Sequence, residues 1–415
     1  MPIDTRWFIF LATVTALLSA TSADAVKRRA FATSVTGTGN LNTWPDADGA
    51  FALAAGDNIC RARAAAASLP NASTYRAWLS TAATDAYCHV QGLTGKKASG
   101  CNGSPQPAGP WYRVNGTSAF TGTLDELTGP ERVIYQSVRF NEFGVVVPEG
   151  EHYFTGTLST GEASDQLCSS WVVSAPDVFG RYGTSNASAI HWTTTQGQGC
   201  GTLARLLCFE PGASEVTPIS WSPAALAFVT SPYGNGNLSS WPSAGGASGL
   251  EAGDAICRNL AEAAHLPAPE SFVAWLSTTT VDAADRLTLA GVAYRRPDGF
   301  RIAASKAALL ANGPALSLHV DETGGYIQAI PSTLTGTDET GQAAASHCLN
   351  WSSGDVSEGS WRGYASFDSN GHWTDHSELS CNQNGRFYCF SNVVTIFWDG
   401  FDLTEDQSRW SSSTP

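Results

Sequence analysis

An alanine-rich run follows Asp57 and continues to Ser68, just ahead of Pro70. Asp is a favourable N-cap and Ala the strongest helix former, so a helix is predicted from Asp57 to Ser68. A second such run extends from Asp254 to about His265, before Pro267. Around Trp78 and Trp275, aromatic and apolar residues stand ahead of Ser and Thr, the pattern of short buried strands. Arg386-Phe387-Tyr388-Cys389-Phe390 reads as a further strand. Short helical turns are expected over Asp285 to Leu289 and Ala303 to Leu310. Gly, Ser, Thr and Asn fill most of the remainder, which predicts long loops. The expected class is α+β.

At the N-terminus the pattern changes. Arg6 precedes an apolar run from Trp7 to Leu18, and small residues follow, ending Ala23-Asp24-Ala25. This is the pattern of a secretory signal peptide over 1–25, too short in its apolar part to span a bilayer. The mature chain is therefore expected in an oxidising space: secreted, periplasmic or at the cell surface. There its ten cysteines are suited to disulfides. No Cys-x-x-Cys pair occurs, which argues against structural zinc and thioredoxin-like chemistry.

The chain also repeats itself. Phe31 to Trp44 (FATSVTGTGNLNTW) matches Phe228 to Trp241 (FVTSPYGNGNLSSW) 197 positions later. Gly56-Asp57-Asn58-Ile59-Cys60 matches Gly253-Asp254-Ala255-Ile256-Cys257 at the same offset. So does Ala77-Trp78-Leu79-Ser80-Thr81 with Ala274-Trp275-Leu276-Ser277-Thr278. The offset falls to 180 by Glu142 and Glu322, Thr155-Gly156-Thr157 and Thr335-Gly336-Thr337, and Cys168-x-x-Trp171 and Cys348-x-x-Trp351. It is 181 for His191-Trp192, Cys200, Arg205 and Cys208 against His372-Trp373, Cys381, Arg386 and Cys389. Units of this length are tandem domains, not solenoid turns. The boundaries expected are 31–210 and 228–391, with a linker at 211–227 and a C-terminal tail at 392–415. Cys88 and Cys101 lie where the first repeat carries an insertion, and a local disulfide between them is the simplest reading. For the four cysteines shared by each repeat, three pairings remain open.

Composition narrows the partners. Lys+Arg number 23 against 37 Asp+Glu, giving a net charge of −14 and a pI of about 4.9. No concentrated basic footprint for nucleic acid or an anionic membrane is expected from that balance, and no membrane span is expected in the mature chain.

The order of a Gly-Asp-x-x-Cys helix, a Trp-Leu-Ser strand, Cys-x-x-Trp and a closing cysteine pair resembles the endostatin-like branch of the C-type-lectin-like fold. It looks closest to secreted bacterial domains of that branch. The likeness covers most of the mature chain, twice over. It implies nested disulfides: Cys60–Cys208 and Cys168–Cys200 in the first repeat, Cys257–Cys389 and Cys348–Cys381 in the second. Two features of that branch are missing. Val26 to Phe31 holds none of the N-terminal histidines of the zinc site, and the acidic chain lacks the arginine cluster that binds heparin. The Glu-Pro-Asn, Gln-Pro-Asp and Trp-Asn-Asp signatures of calcium-dependent lectins are absent too.

Candidate chemistry is sparse. Asp368-Ser369-Asn370-Gly371-His372-Trp373-Thr374-Asp375-His376 offers carboxylates and histidines; Asp368 and Asn370 are candidate ligand contacts, and Asp368, Asp375 and His376 candidate metal ligands. The first repeat keeps only His191 there. His191 and His372 also read as local supports for their neighbouring tryptophans. Trp44 and Trp241 are candidate binding platforms, with a core role as the alternative. No nucleophile elbow, His-Glu-x-x-His or phosphate-binding glycine loop is present, so no catalytic residue and no cofactor is assigned. The function expected is non-enzymatic binding or adhesion to an extracellular glycan or protein. A metal-assisted or acid/base hydrolase is one alternative, and a structural envelope protein without a soluble ligand the other.

Overall fold

The computed structural model describes residues 26–116, 119–216, 222–328, 332–368 and 371–396. The expected signal peptide, Asn370 and the tail beyond residue 396 lie outside the described residues. The first repeat contains β1 (Arg28–Ala32), β2 (Arg76–Ala77), β3 (Trp111–Tyr112), β4 (His152–Phe154), β5 (Phe179–Thr184), β6 (Gly197–Gly199) and β7 (Leu207–Phe209). The second contains β8 (Ala225–Val229), β9 (Phe272–Ala274), β10 (Tyr294–Arg295), β11 (Arg301–Ala303), β12 (Ser332–Leu334), β13 (Gly359–Tyr364), β14 (Ser377–Ser380) and β15 (Tyr388–Ser391). Each repeat builds two small sheets: β2-β7-β1-β3 and β4-β5-β6, then β11-β10-β8-β15-β9 and β12-β13-β14. The class is α+β. No strand pairing within these sheets joins one repeat to the other, and the buried apolar clusters divide the same way.

The first and last strands of each repeat lie side by side, antiparallel, with Phe31 opposite Cys208 and Phe228 opposite Cys389. A long helix packs on them: Ala52–Ala66 in the first repeat, Gly249–Ala263 in the second. Both helices begin a turn before the predicted Asp N-cap, because the aspartate has a different task. Asp57 accepts from the Ala77 amide at 3.0 Å, and Asp254 from the Ala274 amide at 2.9 Å. Each is an interior helix residue that ties the helix to the adjoining strand. His89, Arg76 and Arg61 complete the pairing around Asp57, while Arg286 donates to both carboxylate oxygens of Asp254, with Arg258 at 3.6 Å. A buried carboxylate is tolerable when hydrogen-bonded and charge-paired in this way.

All ten cysteines are paired: Cys60–Cys208, Cys88–Cys101, Cys168–Cys200, Cys257–Cys389 and Cys348–Cys381. Every bridge stays inside one repeat. The Thr-Gly-Thr motif has a packing reason. Gly156 and Gly336 have φ of +60° and +56° and lie against the rings of Trp171 and Trp351, where a Cβ would collide.

Gly183 of β5 and Gly363 of β13 sit against the backbone of Trp192 and Trp373, so that a Cβ would overlap the tryptophan carbonyl. Backbone cannot yield as a side chain does. Gly183→Ala and Gly363→Ala are each expected to cost about 1–3 kcal/mol in denaturant unfolding, the range for overpacking. A loss under about 0.5 kcal/mol, the size of a neutral surface change, would show that this contact is not fixed.

The segment expected as a linker is partly structured at both ends. Ala213 bridges to Gly109, and β8 begins at Ala225. Ala224 pairs with Thr395, which anchors the start of the expected tail on the second repeat. The two repeats touch each other directly at residues 186–188 and 366–368, through an antiparallel bridge between Ala187 and Phe367.

Candidate functional site

The strongest local signal is backbone strain that recurs. Cys168, Ser169, Ser170 and Trp171 all have positive φ, from 46° to 68°. Cys348, Leu349, Asn350 and Trp351 repeat this, from 49° to 69°. Four consecutive non-glycine residues thus form a left-handed helical turn, closed by Trp171 N–H to Leu167 O at 3.0 Å and Trp351 N–H to His347 O at 3.0 Å. The left-handed conformation costs roughly 1–2 kcal/mol per residue. Such strain persists only where the surroundings over-determine it.

The surroundings here are two clamps. At one end the cysteine is bonded to Cys200 or Cys381. At the other the tryptophan is buried and its indole N–H donates to a backbone carbonyl just beyond a strand, Trp171 to Ser80 at 2.7 Å and Trp351 to Ser277 at 2.8 Å. Those serines belong to the recurring Trp-Leu-Ser motif. The two middle residues are free of these clamps, and they differ: Ser169-Ser170 in one repeat, Leu349-Asn350 in the other.

In the first repeat the turn borders a groove of about 420 Å³. Leu167, Val178 and Phe179 give it apolar walls, with Ala82 beside them. Asp165, Gln166, Ser169 and Ser170 supply acceptors and hydroxyls. The Phe179 side chain is about half exposed, at 48%. Asp165 meets Arg181 at 3.5 Å but remains largely in solvent, so this pair contributes little to stability. None of the lining residues is a histidine, lysine or cysteine. The groove can hold a ligand against an aromatic face and polar rim; it offers no nucleophile paired with a base.

The second repeat differs at the corresponding place. Asn350 Oδ1 accepts from the Thr279 amide at 2.9 Å, and Thr279 is the counterpart of Ala82. Gly359 stands where Phe179 does, so the aromatic wall is lost. Instead Leu349 and Val356 are exposed. One scaffold therefore carries two different surfaces.

The residues singled out from sequence are placed elsewhere. Trp44 and Trp241 are not platforms: they are 4% and 5% exposed, and their indoles donate to Thr38 O and Asn235 O. Asp368 is also buried. Its carboxylate accepts from Ser137 Oγ and from Arg139 at 3.1 Å, both in the first repeat, so it is not available to a metal or ligand. Asp375 is half-buried, and burial raises its pKa. His376 is exposed, with its ring against Tyr364 and His372. Among the described residues no group of three His, Cys, Asp or Glu is arranged to hold a metal ion. His191 does not act locally: its Nδ1 lies 3.1 Å from Ser366 Oγ across the repeat boundary, and its ring stacks near Phe367. His372 packs on the same Phe367.

The recurring acid and base are structural as well. Glu142 and Glu322 accept from the amides and hydroxyls of Ser34 and Ser231. Arg205 and Arg386 donate to backbone carbonyls of Thr33 and Ser34, and of Thr230 and Ser231. Asp321, beside Glu322, caps its own turn through the amides of Thr323 and Gly325. The left-handed turn itself was missed. Its only trace in the sequence is Cys-x-x-Trp, which does not reveal backbone handedness. Among the described residues no helix is long and apolar enough to cross a membrane. Compared with known proteins, the chain matches no family model and no curated protein.

Proposed function

We propose that the chain is a secreted, non-enzymatic binding protein that recognises an extracellular or cell-surface ligand, glycan or protein, through the groove beside Cys168–Trp171. The observation that carries this reading is the strained left-handed turn, kept in both repeats with different outward residues. A scaffold held against its own backbone preference, and varied only where it meets solvent, is suited to presenting contacts. The proposed architecture is two tandem C-type-lectin-like domains of the endostatin-like branch. Supporting it are the helix cysteine bonded to the last strand, the inner Cys-x-x-Trp bridge and the adjacent first and last strands of each repeat. The disulfides are compatible with an oxidising compartment.

The test is a glycan and extracellular-protein array probed with residues 26–415, with calcium and with EDTA. Binding is expected in both conditions, since Asp368 is already consumed. Phe179→Ala is expected to weaken the strongest hit at least tenfold, about 1.4 kcal/mol. Val356→Ala, on the other repeat, should leave that hit unchanged. Equal loss in both variants, or none in Phe179→Ala, would move the site away from this groove.

A further inference from the structure

The contact between the repeats has a two-fold pattern. At the offset of 180, residues 186–188 correspond to 366–368. These are the segments that meet. Ala187 bridges its own counterpart Phe367. Ser188 N–H donates to Ser366 O at 2.8 Å, and Asp368 N–H returns to Asn186 O at 3.2 Å. Each repeat therefore offers the same backbone edge to the other, as in the isologous interface of a symmetric dimer.

The side chains break that symmetry. Asp368 reaches Ser137 and Arg139 of the first repeat. Its counterpart Ser188 reaches Ser317 and His319 of the second. Ser137 and Ser317 match; Arg139 and His319 do not, and neither do Asp368 and Ser188. All four of Asp368, Ser188, Ser317 and His319 are buried. Glu149 also approaches Arg139, at the longer distance of 3.6 Å and with 43% of its side chain exposed. Tyr135 of the first repeat stacks on Phe300 of the second at 4.6 Å, while the second repeat has Ala315 at the matching position.

Other pairings of these faces are poor. First repeat on first repeat would set Arg139 against the uncharged Ser188. Second on second would bury Asp368 beside His319 without the free arginine fork that Arg139 offers, because the nearby Arg296 is already spent on Asp298 and on Ser317 O. A buried charge without its partner is strongly unfavourable, and that is how an interface rejects a wrong partner. We propose that this face is a recognition surface coded for unlike repeats: a first repeat binds a second repeat, in its own chain or another copy of the chain, and neither binds its own kind.

The full chain with a protease site placed between Val216 and Ser222 tests this, because no disulfide crosses from one repeat to the other. After cleavage, native mass spectrometry at micromolar concentration is expected to show one species holding one copy of each half. Asp368→Ser is expected to weaken that complex at least tenfold. Ser188→Asp with His319→Arg gives each repeat both the acid and the arginine. In that variant, pairs of like halves are expected beside the unlike pair. Separation of the parent halves, like pairs in the parent, or an unchanged Asp368→Ser complex would each overturn the proposal. So would a folded double variant that forms unlike pairs only. Should the double variant fail to fold, Asp368→Ser still decides.

Discussion

Replacing Cys60 and Cys208 by alanine is expected to remove about 5 kcal/mol of unfolding free energy, from the chain-entropy cost of a loop this long. The bridge closes 148 residues and joins the long helix to β7, the strand beside β1. Without it the unfolded first repeat gains most of its lost freedom, while the folded state keeps its hydrogen bonds. Cys257–Cys389 closes 132 residues in the same place, so its removal should cost nearly as much. Cys88–Cys101 closes only 13, and the same model gives about 3 kcal/mol. Denaturant unfolding of the three double variants should therefore rank the two outer bridges together and the insertion bridge below them. A larger loss from Cys88–Cys101 would mean that native packing of the insertion, through His89 on Asp57, dominates over loop entropy.

Much of this frame was legible because both repeats repeat their constraints. Cysteine and glycine positions recur where a bridge, a positive φ or a close approach admits nothing else. Gly156 under Trp171 and Gly336 under Trp351 are examples. Side chains that serve distant partners were not legible. Asp57 has the residue type and sequence neighbourhood of an N-cap, and only the fold shows that its acceptor capacity is spent on Ala77 N–H. Asp368 in a loop of polar residues looks like a ligand to calcium. Its actual partners are 231 and 229 residues away, beyond the reach of any local pattern. Trp44 and Trp241 recur, but recurrence does not separate a platform from a core residue. Burial under Gly37 and Gly234 does. The left-handed turn is the extreme case, since its conformation opposes the preference of every residue in it and is imposed by the clamps at its ends.

The repeat boundary also sets an expected pH response, because it holds two buried groups that titrate in opposite senses. Burial, then the nearby Arg296 charge, lowers the His319 pKa to about 3. An unfolded chain protonates this histidine near its ordinary value of about 6.5. His319 therefore contributes its full stability above about pH 6.5 and loses it progressively as pH falls toward 3. Asp368 behaves in reverse. Burial raises it to about 6, against the opposing pull of Arg139 and Ser137. The folded state keeps a proton that the unfolded chain has released, so its contribution is present in acid and lost as pH rises through 6. His152 and His191 are also held low by burial and add to the acid loss. His319→Asn, which keeps a hydrogen-bonding side chain but cannot titrate, is expected to flatten the acid limb. Each pH unit inside the window is worth about 1.4 kcal/mol, so between pH 6.5 and 4 the variant should gain about 3 kcal/mol on the parent. Asp368→Asn removes the opposing slope and should make acid loss steeper between pH 6 and 4. Denaturant midpoints from pH 4 to 7.5 measure both. Parallel curves for the parent and His319→Asn would show that the boundary opens to water before the histidine takes its proton. The acid sensitivity would then lie in His152 and His191 rather than in His319.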